Sequence, residues 1–338
     1  MMPEALKDIG EFGLIARIDE LLKREGIPSP GVSLGIGDDT ASFKARPGRE
    51  ILVTCDCVVE GRHFLPRHIS PMDLGRRSMM LNISDIGAMG GEPLYALISL
   101  GLKDETLVKD IEDLYRGFLL ELNPFGASII GGNLTKSGNG IFIDITLIGE
   151  VEEGRAVRRS GARPGDVILV TGHPGQSAAG LQLLLQSLAS EEHPLVKAYN
   201  TPSHRAREGR AVALTGGATA MIDTSDGFLG DLGHICEKSQ VGALLVQENF
   251  PVSEELGAAA KILKKEPYEF FLGDSDDYQL IITCDAKDVD RIRSSIRLTY
   301  AGPVTEVGRV SEPDRGIRLL LADGSERVLS AKGWDHFR

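Results

Sequence analysis

The stretch Arg77-Ser78-Met79-Met80-Leu81-Asn82-Ile83-Ser84-Asp85-Ile86-Gly87-Ala88-Met89-Gly90-Gly91 has a helical pattern and is apolar almost all round. Such a helix has no face for water and must be enclosed by other elements. It nevertheless carries one carboxylate, Asp85. Burying an unpaired carboxylate costs several kcal/mol, so the charge must be met. An ion pair with Arg76 or Arg77 is one answer, and a bound cation is the other. The chain has 338 residues, 42% of them apolar and 25% charged. That is enough for roughly two domains, each with its own core.

Charge decides which partners are plausible. With 37 basic and 49 acidic residues the net charge is −12. An acidic surface repels nucleic-acid phosphates, so no nucleic-acid partner is expected. If this chain handles phosphates, divalent cations must stand between. No apolar run reaches the roughly 18 residues of a membrane span, and Met1-Met2-Pro3-Glu4-Ala5-Leu6-Lys7-Asp8 is too charged for a signal peptide. A cytoplasmic protein without a membrane partner is expected. Cys55, Cys57, Cys236 and Cys284 make neither a disulfide framework nor a zinc site.

The pattern of elements is mixed. Phe12 to Glu25 reads as an amphipathic helix with Leu14, Ile15, Ile18, Leu21 and Leu22 on one face. Residues 32–59 read as extended, split by Arg46-Pro47-Gly48-Arg49. Helices are expected over 71–90 and 104–122, and strands over 126–131 and 139–151. Ser160-Gly161-Ala162-Arg163-Pro164-Gly165-Asp166 reads as a junction. After it come strand 167–171, helix 176–190, helix 204–215, strand 218–223 and helix 227–239. Further elements alternate to 321. Two domains, 1–153 and 154–338, of mixed α+β (α/β) character are expected.

Standard phosphate motifs are absent. No G-x-x-x-x-G-K-[ST] occurs, and Gly35-Ile36-Gly37 is followed by Asp38-Asp39-Thr40 where a dinucleotide fingerprint needs its third glycine. Aspartates stand in four places instead. The first is that Asp38-Asp39 turn. In the second, Ile51 to Val59, strand alternation puts Thr54 and Asp56 on one face and Ile51, Val53, Cys55 and Cys57 on the other, with Cys55 expected to face the core. The third is Asp85. The fourth is Ile222-Asp223-Thr224-Ser225-Asp226-Gly227, where an apolar strand runs into a helix. A helix N-terminus attracts anions, whereas acids there repel phosphate unless metal ions intervene. N-capping by Ser225 or Asp226 is the structural alternative. Hard oxygen donors without a His/Cys cluster favour Mg²⁺ over Zn²⁺.

Taken in order, GEFGLIAR, GIGDDTASF, VEGRHF, NISDIGAMGG, RRSGARPGD, DTSDGFLGDLGHI and KGWDHF resemble the thiamine-monophosphate kinase family, relatives of aminoimidazole-ribonucleotide synthetase. The resemblance spans nearly the whole chain. It implies a two-domain fold with an N-terminal β-sheet domain that forms a homodimer and a C-terminal α/β domain. It also implies ATP as co-substrate, several Mg²⁺ ions, and thiamine monophosphate as acceptor. Carried over by motif, Asp39, Thr54, Cys55, Asp56, Asp85, Asn133, Asp223 and Asp226 fall at metal-binding positions. Gly132, Asn133, Arg159 and Ser225 fall at ATP contacts. His63, Asp276 and Trp334 fall at substrate positions, and Arg159 and Asp226 are the residues expected to stabilise charge in the transfer.

Three positions depart from the family pattern. Gly131-Gly132-Asn133 replaces Gly-Gly-Asp, Cys55 stands where Thr is usual, and Asp276 shortens a Glu by one methylene. The expected reaction is in-line transfer of the ATP γ-phosphoryl group to the phosphate of thiamine monophosphate. That phosphate has a second pKa of about 6 and is largely ionised at neutral pH, so no general base is expected. A non-catalytic Mg-nucleotide-binding dimer, motivated by Asn133, and a superfamily kinase or synthetase with another substrate are the competing readings.

Overall fold

The computed structural model describes residues 4–27, 31–36 and 40–331. The chain divides into two compact units, Met1–Ile86 with Gly91–Gly154, and Gly87–Gly90 with Arg155–Arg338. Helices and sheets mix in both, as the sequence pattern implies.

In the first unit, helix α1 (Leu6–Glu25) buries Leu14, Ile18 and Leu21, which the 3.6-residue period places on one stripe. Its backbone breaks at Gly10 (φ 68°), so the regular helix starts close to the expected Phe12. Short strands β1 (Val32–Leu34) and β2 (Ser42–Phe43) pair with each other. Strand β3 (Arg49–Val59) leaves the expected turn, followed by helix α2 (Pro71–Ala88) and strand β4 (Glu92–Leu102). Helix α3 (Val108–Leu122), strand β5 (Ser128–Lys136) and strand β6 (Phe142–Glu152) complete the unit. Among the described residues its main sheet has four strands in the order β3-β6-β4-β5. Only the β4–β5 pair is parallel. Helix α2 is enclosed as its composition requires, with Met79, Met80, Ile83 and Ile86 all at or below 2% exposure.

One expectation is overturned here. Cys55 does not face the core. Ile51, Val53, Cys55 and Cys57 lie on the exposed face of β3, and Leu52, Thr54, Asp56 and Val58 lie on the more buried face. The reason is visible on that buried face: Thr54 Oγ1 donates to Asp85 Oδ2 of α2 at 2.5 Å. The apolar face of an edge strand is left open, with Val53 63% exposed.

The second unit is built on a sheet whose described strands run in the order Glu326–Leu329, Ile317–Leu320, Gly242–Val246, Val304–Ser311, Val167–Thr171, Leu280–Cys284 and Ala218–Asp223. In chain order its elements are β7 (Val167–Thr171), α4 (Gln176–Leu185), α5 (Pro194–Asn200), α6 (Ala206–Thr215), β8 (Ala218–Asp223) and α7 (Phe228–Ser239). Then follow β9 (Gly242–Val246), α8 (Glu254–Leu263), α9 (Pro267–Leu272), β10 (Leu280–Cys284), α10 (Val289–Ile296), β11 (Val304–Ser311), β12 (Ile317–Leu320) and β13 (Glu326–Leu329). Alternation splits β7 between two apolar clusters. Ile168 and Val170 join Ile222 and the α7 residues Phe228, Leu232 and Ile235. Val167 and Leu169 join Val212 of α6 with Ile292 and Ile296 of α10. A sheet covered on both faces explains why β7 and β10 are apolar at nearly every position. Among the described residues no helix is long and apolar enough to cross a membrane.

His204, just before α6, makes an acid-sensitive point. Its Nδ1 accepts the Ala206 amide at 3.2 Å, which requires a neutral ring. Burial, and after it the charges of Arg205 and Arg207, hold its pKa down to about 4. Because the folded pKa lies below the unfolded value near 6.5, the unfolded state binds the extra proton between those values. Its contribution is complete above about pH 6.5 and is lost as pH falls toward 4, to the extent of about 2 kcal/mol for a partly exposed ring. We expect His204→Gln, which keeps an acceptor for Ala206, to flatten the decline of urea-melt stability between pH 6.5 and 5. Parallel declines in both proteins would refute this assignment.

Candidate functional site

The first unit gathers one group of the expected residues. Thr54 and Asp56 share a face of β3 through the two-residue period, and Asp85 reaches Thr54 from α2. Arg76 Nε donates to Glu121 at 2.8 Å. Cys55 is separated from this group, its Sγ lying 3.5 Å from Asp144 Oδ1 on the opposite face. On β5, Gly132 and Asn133 pair in parallel register with Ile98 and Ser99 of β4. Both are exposed. His63 folds back on its own turn, its Nδ1 accepting the Val59 amide at 3.0 Å.

The second unit gathers the other group at the end of β8. Asp223 closes the strand at 1% exposure, and Thr224 is fully buried. The chain then turns through Ser225 and Asp226 into α7. Gly227 is the N-cap with φ 110°, and neither Ser225 nor Asp226 caps the helix. A Cβ at Gly227 would stand 2.3 Å from Gly273 O, so only glycine fits this turn. The Asp226 amide instead donates to Asp231 Oδ2 at 3.1 Å.

Asp231 and His234 are the residues that sequence reasoning missed. A ligand atom from each of Asp226, Asp231 and His234 lies within 4.8 Å of the others. The available signal was the Asp-x-x-His spacing, which places both side chains on one helix face. Asp231 is 1% exposed. Burial, then the nearby charges of Asp223 and Asp226, push its pKa up to about 8 against the Asp226 amide and Arg159. The carboxylate donors of the cluster suit a hard divalent cation. Arg159 itself is exposed.

Asp276, one of the expected substrate positions, lies in the loop before β10. Asp277 is buried, its carboxylate accepting the amides of Gly175 at 2.5 Å and Ser177 at 2.8 Å and the Ser275 hydroxyl at 2.6 Å. It therefore satisfies donors at the start of α4 that the helix leaves unpaired. Asp276 is half-buried, and its Oδ1 accepts the Ser177 hydroxyl at 2.5 Å. Thr224 ties this loop to the Asp223–Asp226 turn. Its backbone oxygen accepts from Tyr278 at 2.9 Å, and its hydroxyl accepts from the Gln279 amide at 3.0 Å. Asp39 and Trp334 lie outside the described residues.

This chain matches the model of the AIR synthase related protein, N-terminal domain, over residues 37–151 and that of the AIR synthase related protein, C-terminal domain, over 163–319. It is 32% identical to a thiamine-monophosphate kinase of Bacillus subtilis (strain 168), covering 97% of this chain and 99% of the relative. Its fold is similar to the crystal structure of thiamine-monophosphate kinase from Stenotrophomonas maltophilia K279a, with a TM-score of 0.81 at 30% identity over 94% of this chain and 98% of the other. It is also similar to AaThiL complexed with AMPPCP and TMP, with a TM-score of 0.75 at 35% identity over the full length of both.

Proposed function

The chain belongs to the thiamine-monophosphate kinases of the AIR synthase related family, and from that premise we propose that it transfers the γ-phosphoryl group of ATP to the phosphate of thiamine monophosphate. The observation that carries the reading is the crowding of Asp223, Asp226 and Asp231 at one buried turn. Such a cluster in a chain of net charge −12 calls for a cation before two phosphate-bearing substrates can meet. The relative in complex with AMPPCP and TMP holds ligands of the corresponding two classes.

We assign the metal positions to Asp39, Thr54, Asp56, Asp85, Asn133, Asp223 and Asp226, with Asp231 and His234 beside the last. Bound Mg²⁺ supplies neutralisation of phosphate charge, which brings the two anions together. Cys55 has no side-chain role in this set, because it points to the other face of β3. Gly132, Asn133 and Ser225 offer backbone and small polar groups to ATP. Arg159 offers its guanidinium to charge on the transferring group. His63, Asp276 and Trp334 are assigned to thiamine monophosphate. The acceptor phosphate is already ionised at neutral pH, so the residues position and neutralise, and none removes a proton.

The working form is a cytoplasmic homodimer of chains with domains 1–153 and 154–338. The open apolar face of β3, carrying Ile51, Val53 and Val59, supports a second copy as its cover. ADP release followed with and without thiamine monophosphate tests the reading. Release should require both the acceptor and Mg²⁺, and EDTA should reduce it to background. Saturating Mg²⁺ and nucleotide should also raise the melting temperature, since both bind only the folded chain. Acceptor-independent release, or full release in EDTA, would count against the proposal.

A further inference from the structure

Asp276 and Asp277 are adjacent carboxylates with different duties. Asp277 is committed to the start of α4 through Gly175, Ser177 and Ser275. The Ser275 hydroxyl in turn accepts the Ala178 amide at 3.1 Å. This pins the loop to the helix and fixes where Ser177 stands relative to residue 276. Ser177 is fully buried, and its hydroxyl donates to Asp276 Oδ1 at 2.5 Å. A half-buried carboxylate with one oxygen held by a buried donor loses rotamer freedom.

We propose that Ser177 is a positioning residue for acceptor recognition, acting by holding the carboxylate of Asp276 in the orientation that meets the substrate. The inference rests on the reading of Asp276 as a substrate-binding residue. It explains how an aspartate serves there: a short side chain reaches a ligand only from one rotamer, and the hydroxyl selects it. The thiazolium and aminopyrimidine of thiamine monophosphate offer a cationic ring and N–H donors, both complementary to a carboxylate held in this way. Ser177 touches neither ATP nor the reacting phosphates in this account, so its effect should fall on acceptor binding alone.

A double-mutant cycle tests this. Ser177→Ala removes the hydroxyl and leaves its backbone amide bonded to Asp277. We expect KM for thiamine monophosphate to rise about ten-fold, the scale of one hydrogen bond to a charged group, with kcat and KM for ATP changing less than about two-fold. Asp276→Ala should raise the same KM by at least as much, and Ser177→Ala should add nothing further in that background. Ser177→Cys, with a weaker donor of similar size, should lie between wild type and Ser177→Ala and carries the test if the alanine variant does not fold. Additive effects, or a joint loss of kcat and both KM values, would overturn the proposal. An unchanged KM in Ser177→Ala beside a raised KM in Asp276→Ala would overturn it and leave Asp276 in place. An unchanged KM in both would remove the Asp276 assignment as well.

Discussion

Asp85→Ala should reduce phosphoryl transfer by roughly a thousand-fold or more while leaving a folded protein. The two effects separate because of where the residue sits. Asp85 is part-buried on α2, where it accepts Thr54 Oγ1 at 2.5 Å. Removing it leaves a hydroxyl without that acceptor but also removes a charge from an apolar setting. The lost Thr54 hydrogen bond costs about 1 kcal/mol of stability. A metal site, by contrast, loses a charged ligand for which water is a poor replacement. Asp56→Ala should behave in the same way from the neighbouring strand. Steady-state rates on purified variants, beside their circular dichroism and melting temperatures, give the comparison. Turnover near wild type in either variant would remove these residues from the metal set.

The second large effect comes from two neighbouring glycines that sequence alone treats alike. A Cβ on Gly132 would stand 1.9 Å from Ile98 O and 2.8 Å from Ile98 C, both backbone atoms of the paired strand. A Cβ on Gly131 would meet only Leu97 Cδ2 at 3.0 Å, the movable end of a side chain. Gly132→Ala must push β4 and β5 apart or break their ladder. Overpacking against backbone of this kind should cost about 3 kcal/mol or more. Gly131→Ala should cost about 1 kcal/mol or less. Urea melts of the two variants without ligands make the test. Equal stabilities would show that the sheet does not require a glycine at 132.

Much of this arrangement was legible in the sequence, for definite physical reasons. Strand 218–223 and the helix that follows it were readable because an apolar run ends abruptly in Asp-Thr-Ser-Asp-Gly and the 3.6-residue period then begins. Strand β4 was not readable. Glu92 to Leu102 is apolar without alternation, since the strand has neighbours on both edges and Ala96, Ile98 and Leu100 are all fully buried. Periodicity cannot distinguish such a run from a segment of buried helix.

Strand β3 shows a subtler limit. Alternation correctly paired Thr54 with Asp56, but apolar content pointed to the wrong side as the core. The polar face turns inward because Asp85 is there to meet it, and an apolar face remains exposed. Burial of polar residues beside Asp85 inverts the usual rule, and only the position of α2 reveals the inversion. Asp231 and His234 escaped for another reason. Each is an ordinary helix residue by pattern, and the turn at Gly227 alone brings them beside Asp226. The pairing of Ser177 with Asp276 spans 99 positions in the chain and has no local signature at all.

The most direct test of the central claim follows the label. With γ-³²P-labelled ATP, thiamine monophosphate and Mg²⁺, the wild-type protein should place the label on the terminal phosphate of thiamine diphosphate, one for each ADP released. Label recovered only as inorganic phosphate, or retained in ATP that the protein binds but does not turn over, would contradict the account.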